Sequence, residues 1–256
     1  MAQKCRNIDA INLKSYNLSE SDKIIVMYSK ESGLIRGVAK GCKKPKSKLG
    51  ARMDLLVANS LMISNGRNLN TICEARSINT FRKTREDMDK LMYSSYISEV
   101  TAAFGVENDP CSNEVYDVLY KALDRISNAE NKVEVLVAVL KFQLKFMQIT
   151  GFGIEFESCL CCQKPLKKED IYFSANRGGV ICQDCLSDTI VSTKLHYKIR
   201  DFLVELLNSD FEEHLQYERK ATEKVCLVCF DMLKKYVQLH CAKQIKSVNF
   251  LETVCN

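Results

Sequence analysis

The stretch Cys159-Leu-Cys-Cys162, followed by Cys182-Gln-Asp-Cys185, decides how the rest of the chain is interpreted. Two Cys-x-x-Cys pairs within one short segment have the spacing of a four-cysteine zinc site, because each pair places two thiolates on one tight turn. With all four positions filled by protein, such a zinc ion is structural and leaves no open position for a substrate. The sequence predicts one zinc ion with the ligands Cys159, Cys162, Cys182 and Cys185.

Other interpretations of the cysteines stay open at this point. The two pairs could be redox motifs, could hold an iron–sulfur cluster, or could belong to a metal-free core. Cys161 is an extra sulfur beside Cys162, and we choose Cys159 with Cys162 because this choice keeps the two-residue spacing. A third pair, Cys226-Leu-Val-Cys229, falls within a helical pattern, and we expect it to pack in the core.

Composition points to an ordinary globular protein in a reducing compartment. The chain has 256 residues, of which 46% are hydrophobic and 27% charged, enough for two or three modest domains. Its 13 cysteines are an odd number, and most are scattered through apolar patterns rather than arranged as a disulfide framework. The N-terminus lacks the pattern of a signal peptide, and no apolar run approaches the roughly 20 residues of a membrane span. We expect a cytoplasmic protein with no membrane partner.

The first third of the chain predicts a small β-barrel. Residues 6–80 contain about five short runs rich in β-branched and aromatic residues, such as Lys23–Lys30, and no helical period separates them. Asn65-Gly66 is a favoured hairpin turn because both residues tolerate positive φ. A small antiparallel barrel of the OB type fits this pattern, since closure removes exposed sheet edges.

Positive charge is concentrated in the same third. Residues 1–80 sum to +8 and residues 81–256 to −3, and the segment from Arg36 to Arg52 has seven basic residues and no acidic one. We predict an exposed cationic loop that binds nucleic acid through its phosphates, with weak sequence selectivity and strong salt dependence. Aromatic residues for stacking are scarce nearby, namely Tyr16 and Tyr28. The predicted phosphate-binding residues are Arg36, Lys40, Lys43, Lys44, Lys46, Lys48 and Arg52.

From about Phe81 the apolar residues recur with the period of an α-helix. We predict helices that begin at the cap-like Thr84–Asp87, over 115–126 and 133–149, from Ser192 or Thr193, and over 221–245. The predicted class is α+β and multidomain. The predicted domains are an OB-fold at 1–80, a helical domain at 81–153, a zinc-binding module at 154–190, and C-terminal helices at 191–256 packed on the helical domain.

The sequence holds few candidates for catalysis. His196, His214 and His240 lie late in the chain in helical context, without a nucleophile at a familiar spacing. Phosphate-binding loops, dinucleotide fingerprints and the HExxH motif are absent from the sequence. We therefore expect a binding protein with no catalytic residues, rather than an enzyme.

Several segments together carry a resemblance that covers essentially the whole chain. They are Tyr16 with Glu20–Ile25, Gly33–Gly41 followed by Lys44–Leu49, Thr150–Gly153, and Cys159–Cys162 with Gly178–Cys185. With these segments the chain resembles the RecO recombination-mediator family of bacterial DNA repair. The resemblance implies an OB-fold followed by a helical domain with a zinc module. It also implies binding of single- and double-stranded DNA, annealing of complementary strands, and help in loading RecA onto strands covered by single-strand-binding protein.

The resemblance also implies two protein partners, RecR and the acidic C-terminal tail of single-strand-binding protein. The late helices, with Lys194, Lys234, Lys235 and Lys243, could supply an apolar groove with a basic rim for that tail. The chain departs from the family pattern at two places. Tyr16 stands further from Glu20 than is usual, and Gln163 stands where a zinc knuckle often has glycine.

Three hypotheses follow from these observations. The first is a non-enzymatic DNA-binding mediator at the bacterial nucleoid. The second is an RNA- or ribosome-associated protein with an OB-fold and a zinc module, which would use the same cationic loop. The third is an enzyme that uses a Cys-x-x-Cys pair for thiol exchange, which tightly bound zinc at Cys159–Cys185 would exclude.

Overall fold

The structure, a computed structural model, describes residues 5–66, 69–166, 171–213 and 216–247. The chain divides into two compact units, Met1–Asn128 together with Ile245–Asn256, and Ala129–Gln244. The finer division at 1–80, 81–153, 154–190 and 191–256 stays a prediction, and its last part includes residues 248–256, which lie outside the described residues. Every described helix is too short or too polar to cross a lipid bilayer.

The first unit begins with a five-stranded barrel. Its strands are β1 (Cys5–Asn17), β2 (Lys23–Ser29), β3 (Gly33–Ala39), β4 (Ala58–Ser64) and β5 (Asn70–Asn79). They close in the order β1-β2-β3-β5-β4, with β1 also paired to β4, which is an OB-like arrangement. Neighbouring strands are antiparallel except β3 and β5, which meet in parallel over two residue pairs, Gly37 with Asn70 and Val38 with Thr71. The predicted β-structure at the N-terminus is confirmed.

Alternating apolar residues of the five strands fill the barrel. Because successive side chains of a strand point to opposite faces, residues such as Ile25, Met27 and Ile35 share the inside. Two residues from outside the strands, Cys42 and Met53, belong to the same core. They lie in the long segment between β3 and β4, so this segment is anchored in the barrel at both of its ends.

Two helices complete the first unit, α1 (Met88–Phe104) and α2 (Ser112–Asn128). The side chain of Asp87 caps α1 by accepting the N–H of Lys90, so the helix begins at Met88, four residues after the predicted Thr84, which lies in a 3-10 turn. The connection between the helices is bonded to the barrel, because the Tyr28 hydroxyl contacts the Asp109 carboxylate at 2.7 Å. The barrel and these two helices therefore form one packed unit.

The second unit contains three helices and a small sheet. The helices are α3 (Lys132–Ile149), α4 (Tyr197–Asn208) and α5 (Glu223–His240), and α3 packs against both of the others. The sheet has the antiparallel order β7-β6-β8, with β6 at Ile171–Ser174, β7 at Gly179–Cys182 and β8 at Thr193–Leu195. The predicted helices after the β-structure are thus confirmed, and the overall class is mixed α+β.

The boundaries of the last two helices differ from the prediction. Residues Thr193–Leu195 are a strand paired with β6, so α4 cannot begin at Ser192 or Thr193. It begins at Tyr197, where the Nδ1 of His196 accepts the N–H of Lys198 and caps the helix. The last helix is capped by Thr222 and ends at His240, shorter than the predicted range 221–245.

Candidate metal centre and cationic loop

The seven basic residues between Arg36 and Arg52 lie on the barrel unit with their charges toward solvent. Arg36 is an exposed residue of β3, opposite Val26 of β2. The five lysines that follow are exposed, and Arg52 is half-buried, with its guanidinium donating to the carbonyl of Lys48. We use the name cationic loop for residues 40–52. The exposed lysines are Lys40, Lys43, Lys44, Lys46 and Lys48.

The beginning of the cationic loop is held against the turn between β1 and β2. The backbone N–H of Lys43 donates to the carbonyl of Ser21 at 3.0 Å, and its Nζ donates to the carbonyl of Ser19 at 3.0 Å. The N–H of Gly41 donates to Asp22 Oδ1 at 2.7 Å, and this hydrogen bond is the main reason that the pKa of Asp22 is lowered. The loop backbone is therefore fixed although its lysine side chains are exposed.

The end of the cationic loop is held by β1 and β4. The amide of Asn12 donates to the carbonyls of Arg52 and Asp54, each at 2.8 Å, and the amide of Asn59 donates to the carbonyl of Arg52 at 2.8 Å. A 3-10 turn over Gly50–Met53 brings Met53 into the barrel core. Such an arrangement can present cations to phosphates.

The two tyrosines near this loop differ in exposure. Tyr28 is fully buried, and burial together with Asp109 raises the pKa of its hydroxyl far above the usual range. Tyr16 is 56% exposed. Of these two rings, Tyr16 is therefore the one that could stack on a ligand.

The four predicted zinc ligands lie together in the second unit. The sulfur atoms of Cys159, Cys162, Cys182 and Cys185 are all within 4.8 Å of one another, and Cys162 Sγ and Cys182 Sγ are 3.8 Å apart. A tetrahedral zinc ion with Zn–S bonds of about 2.3 Å requires sulfur separations of roughly 3.8 Å. The cluster therefore fits a tetrahedral metal ion, and within the described ranges no other group of three or more His, Cys, Asp or Glu residues does so.

Two tight turns hold the cluster. In the first, Cys159 donates its N–H to the carbonyl of Lys164 at 3.0 Å, and Gln163 donates to the carbonyl of Cys159 at 2.8 Å. Gln163 has φ +58°, a left-handed conformation that glycine adopts at lower cost. In the second, Cys182 ends β7 and a 3-10 turn carries Cys185. Gln163 therefore stands where a zinc knuckle often has glycine, and the turn still forms its hydrogen bonds.

Backbone N–H groups prepare the cluster for negative charge. The N–H groups of Cys161 and Cys182 both donate to Cys159 Sγ at 3.4 Å. Burial acts to raise the pKa of Cys159, but the N–H groups of Cys182, Cys162 and Cys161 outweigh it and lower the pKa to about 6. Hydrogen bonds with Cys182 and Cys162 raise the pKa of Cys185. A divalent cation would lower the pKa of these thiols, because it stabilises all four thiolates at once.

The remaining cysteines of interest lie outside the cluster. Cys161 is exposed, and its sulfur accepts a hydrogen bond from Arg177 Nη1 at 3.5 Å, so the choice of Cys159 with Cys162 agrees with the geometry. Cys226 and Cys229 are fully buried within α5, and burial raises the pKa of each thiol to about 12. Their predicted role in core packing is confirmed.

The histidines have structural surroundings where they are described. His196 caps α4, and the ring of His240 packs against Phe152 and Tyr236, each with ring centroids 4.6 Å apart. His214 lies outside the described residues. Both described histidines therefore have structural roles, one as a helix cap and one in ring packing.

Comparison with known proteins covers almost the whole chain. A family model described as "Recombination protein O N terminal" matches residues 1–81, and one described as "Recombination protein O C terminal" matches residues 85–249. A DNA repair protein RecO from Trichodesmium erythraeum is 31% identical over 95% of this chain and 92% of its own length. RecO proteins from Desulforamulus reducens and Rubrobacter xylanophilus are 27% and 30% identical, over 97% and 70% of this chain and 94% and 70% of their own lengths.

Proposed function

This chain belongs to the RecO family of DNA repair proteins, and we propose that it is a non-catalytic DNA-binding recombination mediator. In this role it binds single- and double-stranded DNA through the cationic loop and anneals complementary strands. The observation that carries the proposal is the loop itself, whose backbone is fixed by Cys42, Met53 and Asn12 while five lysines remain exposed. Exposed cations on a fixed backbone neutralise phosphates without selecting a sequence.

Annealing follows from the same electrostatics. Two complementary strands repel each other through their phosphates, and a surface with several exposed cations lowers that repulsion when both strands lie on it. Arg36, the lysines of the loop and Arg52 supply the charges. The reaction makes and breaks no covalent bond, so it requires no catalytic residue.

A charge-reversal variant tests the proposal. Lys43 also holds the turn through Ser19, so the sharper variant changes Lys44, Lys46 and Lys48 to glutamate. We expect loss of strand annealing. For duplex DNA, the slope of log affinity against log salt concentration should become smaller by about 3, because each phosphate contact on a duplex contributes roughly 0.9. The matched control reverses the exposed Lys198, Lys220 and Lys224 of the second unit and should keep most of the affinity. Equal affinity and equal salt slope in the two triple variants would refute this assignment.

Structured RNA is the alternative ligand that the binding experiments must include. The cationic loop could also serve an RNA- or ribosome-associated protein, since phosphates are common to both nucleic acids. Binding to single-stranded DNA and to a folded RNA hairpin is compared at fixed salt. We expect DNA to bind at least as tightly and expect only complementary DNA strands to be annealed.

We also propose that the cysteine cluster holds one structural zinc ion, with all four ligand positions filled by Cys159, Cys162, Cys182 and Cys185. The support is the fit of the sulfur separations to a tetrahedral ion. When bound, zinc supplies a cross-link between the two turns, and the chain supplies N–H groups that stabilise the thiolates. Metal analysis of the purified protein should find about one zinc per chain.

The proposed partners are RecR, with which the protein helps to load RecA, and the C-terminal tail of single-strand-binding protein. A groove of about 270 Å³ in the second unit supports the second partner. Val191 and Val228 give it an apolar lining, and Lys194 of β8 and Lys235 also line it, whereas Lys234 and Lys243 do not. Asp231 is the acidic residue of the lining, and its carboxylate is paired with Lys235 Nζ at 2.7 Å. An acidic peptide with apolar side chains suits such a groove. A fluorescent tail peptide should lose affinity when Lys194 and Lys235 are changed to glutamate.

A further inference from the structure

A second groove, in the barrel unit, is open and partly apolar. It has a volume of about 580 Å³ and lies between β1, the residue Leu55 and the helix α1. Tyr16 is 56% exposed and Leu55 37% exposed, and large apolar groups that share an open groove are typical of binding sites. The groove is lined by Leu13, Lys14, Ser15, Tyr16, Leu55, Leu91, Met92, Ser95, Glu99, Lys246 and Ser247.

The two ends of the cationic loop are hydrogen-bonded to segments that adjoin residues of this groove along the chain. At its beginning, Lys43 is bonded to Ser19 and Ser21, which lie shortly after Tyr16 in the turn that follows β1. At its end, Asn12 of β1 binds the carbonyls of Arg52 and Asp54, directly before Leu55. The loop is thus tied to the segments that carry Tyr16 and Leu55 of the groove.

The charge within the groove does not oppose a polyanion. Glu99 is the acidic residue of its lining, and its carboxylate is paired with Lys14 Nζ at 3.3 Å and accepts the N–H of Ser247 at 2.7 Å. Burial acts to raise the pKa of Glu99, but the Ser247 and Lys14 contacts outweigh it and lower the pKa. Lys246 adds a second cation to the lining, so the groove carries a net positive charge.

We propose that this groove receives an unstacked nucleobase of a single-stranded nucleic acid whose phosphates lie on the cationic loop. This inference rests on the proposed function and adds a base-binding subsite to it. The exposed ring of Tyr16 supplies a stacking face, and Leu55 and Met92 supply apolar contacts. Stacking uses the face of a base, so the site accepts different bases, whereas the paired and stacked bases of a duplex cannot enter it.

The test compares three probes of equal length on the full chain at fixed salt: oligothymidine, an oligomer of abasic sites, and duplex DNA. Tyr16→Ala should weaken binding of oligothymidine at least about fivefold, the lower end of the effect of one stacked base. It should change binding of the other two probes less than about twofold. Tyr16→Phe should restore the wild-type affinity because it keeps the ring. The matched control is Leu18→Ala, since Leu18 is 50% exposed on the adjacent turn and does not line the groove.

Unchanged binding of oligothymidine by Tyr16→Ala, or an equal loss with all three probes, overturns the inference. Such a result leaves the proposed function intact as long as the wild type binds DNA through the loop lysines, whereas a wild type that binds none of the probes refutes both. A chain that ends at Ser247 tests whether residues 248–256 occupy the groove instead. The same Tyr16→Ala effect with and without those residues supports the nucleobase, and an effect seen only after their removal overturns it.

Discussion

The cationic loop and the cysteine cluster are both short irregular segments, yet their side chains are placed in opposite ways. Four sulfur atoms of the cluster converge to within 4.8 Å of one another, whereas the five lysines of the loop are exposed to solvent. Converging ligands stabilise the fold that holds them, because a metal binds only the folded arrangement. Exposed cations contribute little to folding and keep their charge for a polyanion. The strongest sequence motif and the expected function therefore lie in different units.

The largest expected effect comes from removing one metal ligand. Cys182→Ser should lose the zinc ion and lower the free energy of unfolding by several kcal/mol, because structural zinc contributes about 10 kcal/mol or more of binding free energy. Metal content and urea unfolding measure both changes. Cys161→Ser is the matched control, since Cys161 is next to the cluster but bonded to Arg177 instead. A wild-type protein that is well folded without metal would contradict the structural role.

The second largest effect should come from an apolar anchor of the cationic loop rather than from its charges. Met53 is fully buried in the barrel core, so Met53→Ala should lower the free energy of unfolding by about 2–4 kcal/mol. Lys46→Ala, at an exposed position of the same loop, should change it by less than about 0.5 kcal/mol. Urea unfolding measures the free energy of unfolding of both variants. Equal stability of both would show that Met53 does not anchor the loop.

A smaller effect is expected at the first turn of the cysteine cluster. Gln163 has φ +58°, and a left-handed conformation costs a non-glycine residue roughly 1–2 kcal/mol. Gln163→Gly should therefore raise the free energy of unfolding, by less than about 1 kcal/mol after the larger entropy loss of glycine is included. Lys164 is the next exposed residue and has no positive φ, so Lys164→Gly relieves no backbone strain and should be destabilising. Zinc release rates and thermal melts compare the two variants.

The smallest effect is local and depends on pH. The N–H of Gly41 is the main cause of the lowered pKa of Asp22, so the carboxylate form holds the start of the cationic loop. A lowered folded-state pKa means that this contribution is present above the unfolded value and is lost as pH falls through the folded one. The NMR shift of the Gly41 amide should titrate with a midpoint below 3.8, the ordinary value. Asp22→Asn should abolish the titration, and a midpoint at or above 3.8 would oppose the assignment.

Features with a short repeating pattern could be predicted from the sequence. The β-branched runs of the barrel, the helical periods of α2 and α3, and the paired cysteines each follow from local spacing. The choice of Cys159 over Cys161 follows from the same rule. Patterns of this kind are local, so they can be recognised without knowledge of the tertiary structure.

Features that depend on tertiary contacts could not be predicted in this way. Cys42 and Met53 are isolated apolar residues in an irregular segment, so no period marks them as anchors of the cationic loop. The three-residue strand β8 is too short to show alternation, which is why a helix was expected there. Whether Tyr16 or Tyr28 is exposed depends on where α1, α2 and their connection cover the barrel.

The parallel contact between β3 and β5 has a consequence for how the barrel unit folds. Its two residue pairs join strands that are far apart along the chain, whereas β1, β2 and β3 follow one another as hairpins. Closing a long loop costs entropy before the contact returns any stabilisation, so local hairpins form early, whereas this seam and the still longer-range pairing of β1 with β4 form late. We therefore expect the amides at the seam to exchange hydrogen ahead of those in the β1–β2 hairpin. The barrel that carries the cationic loop would then complete itself only in the last, slowest step of folding.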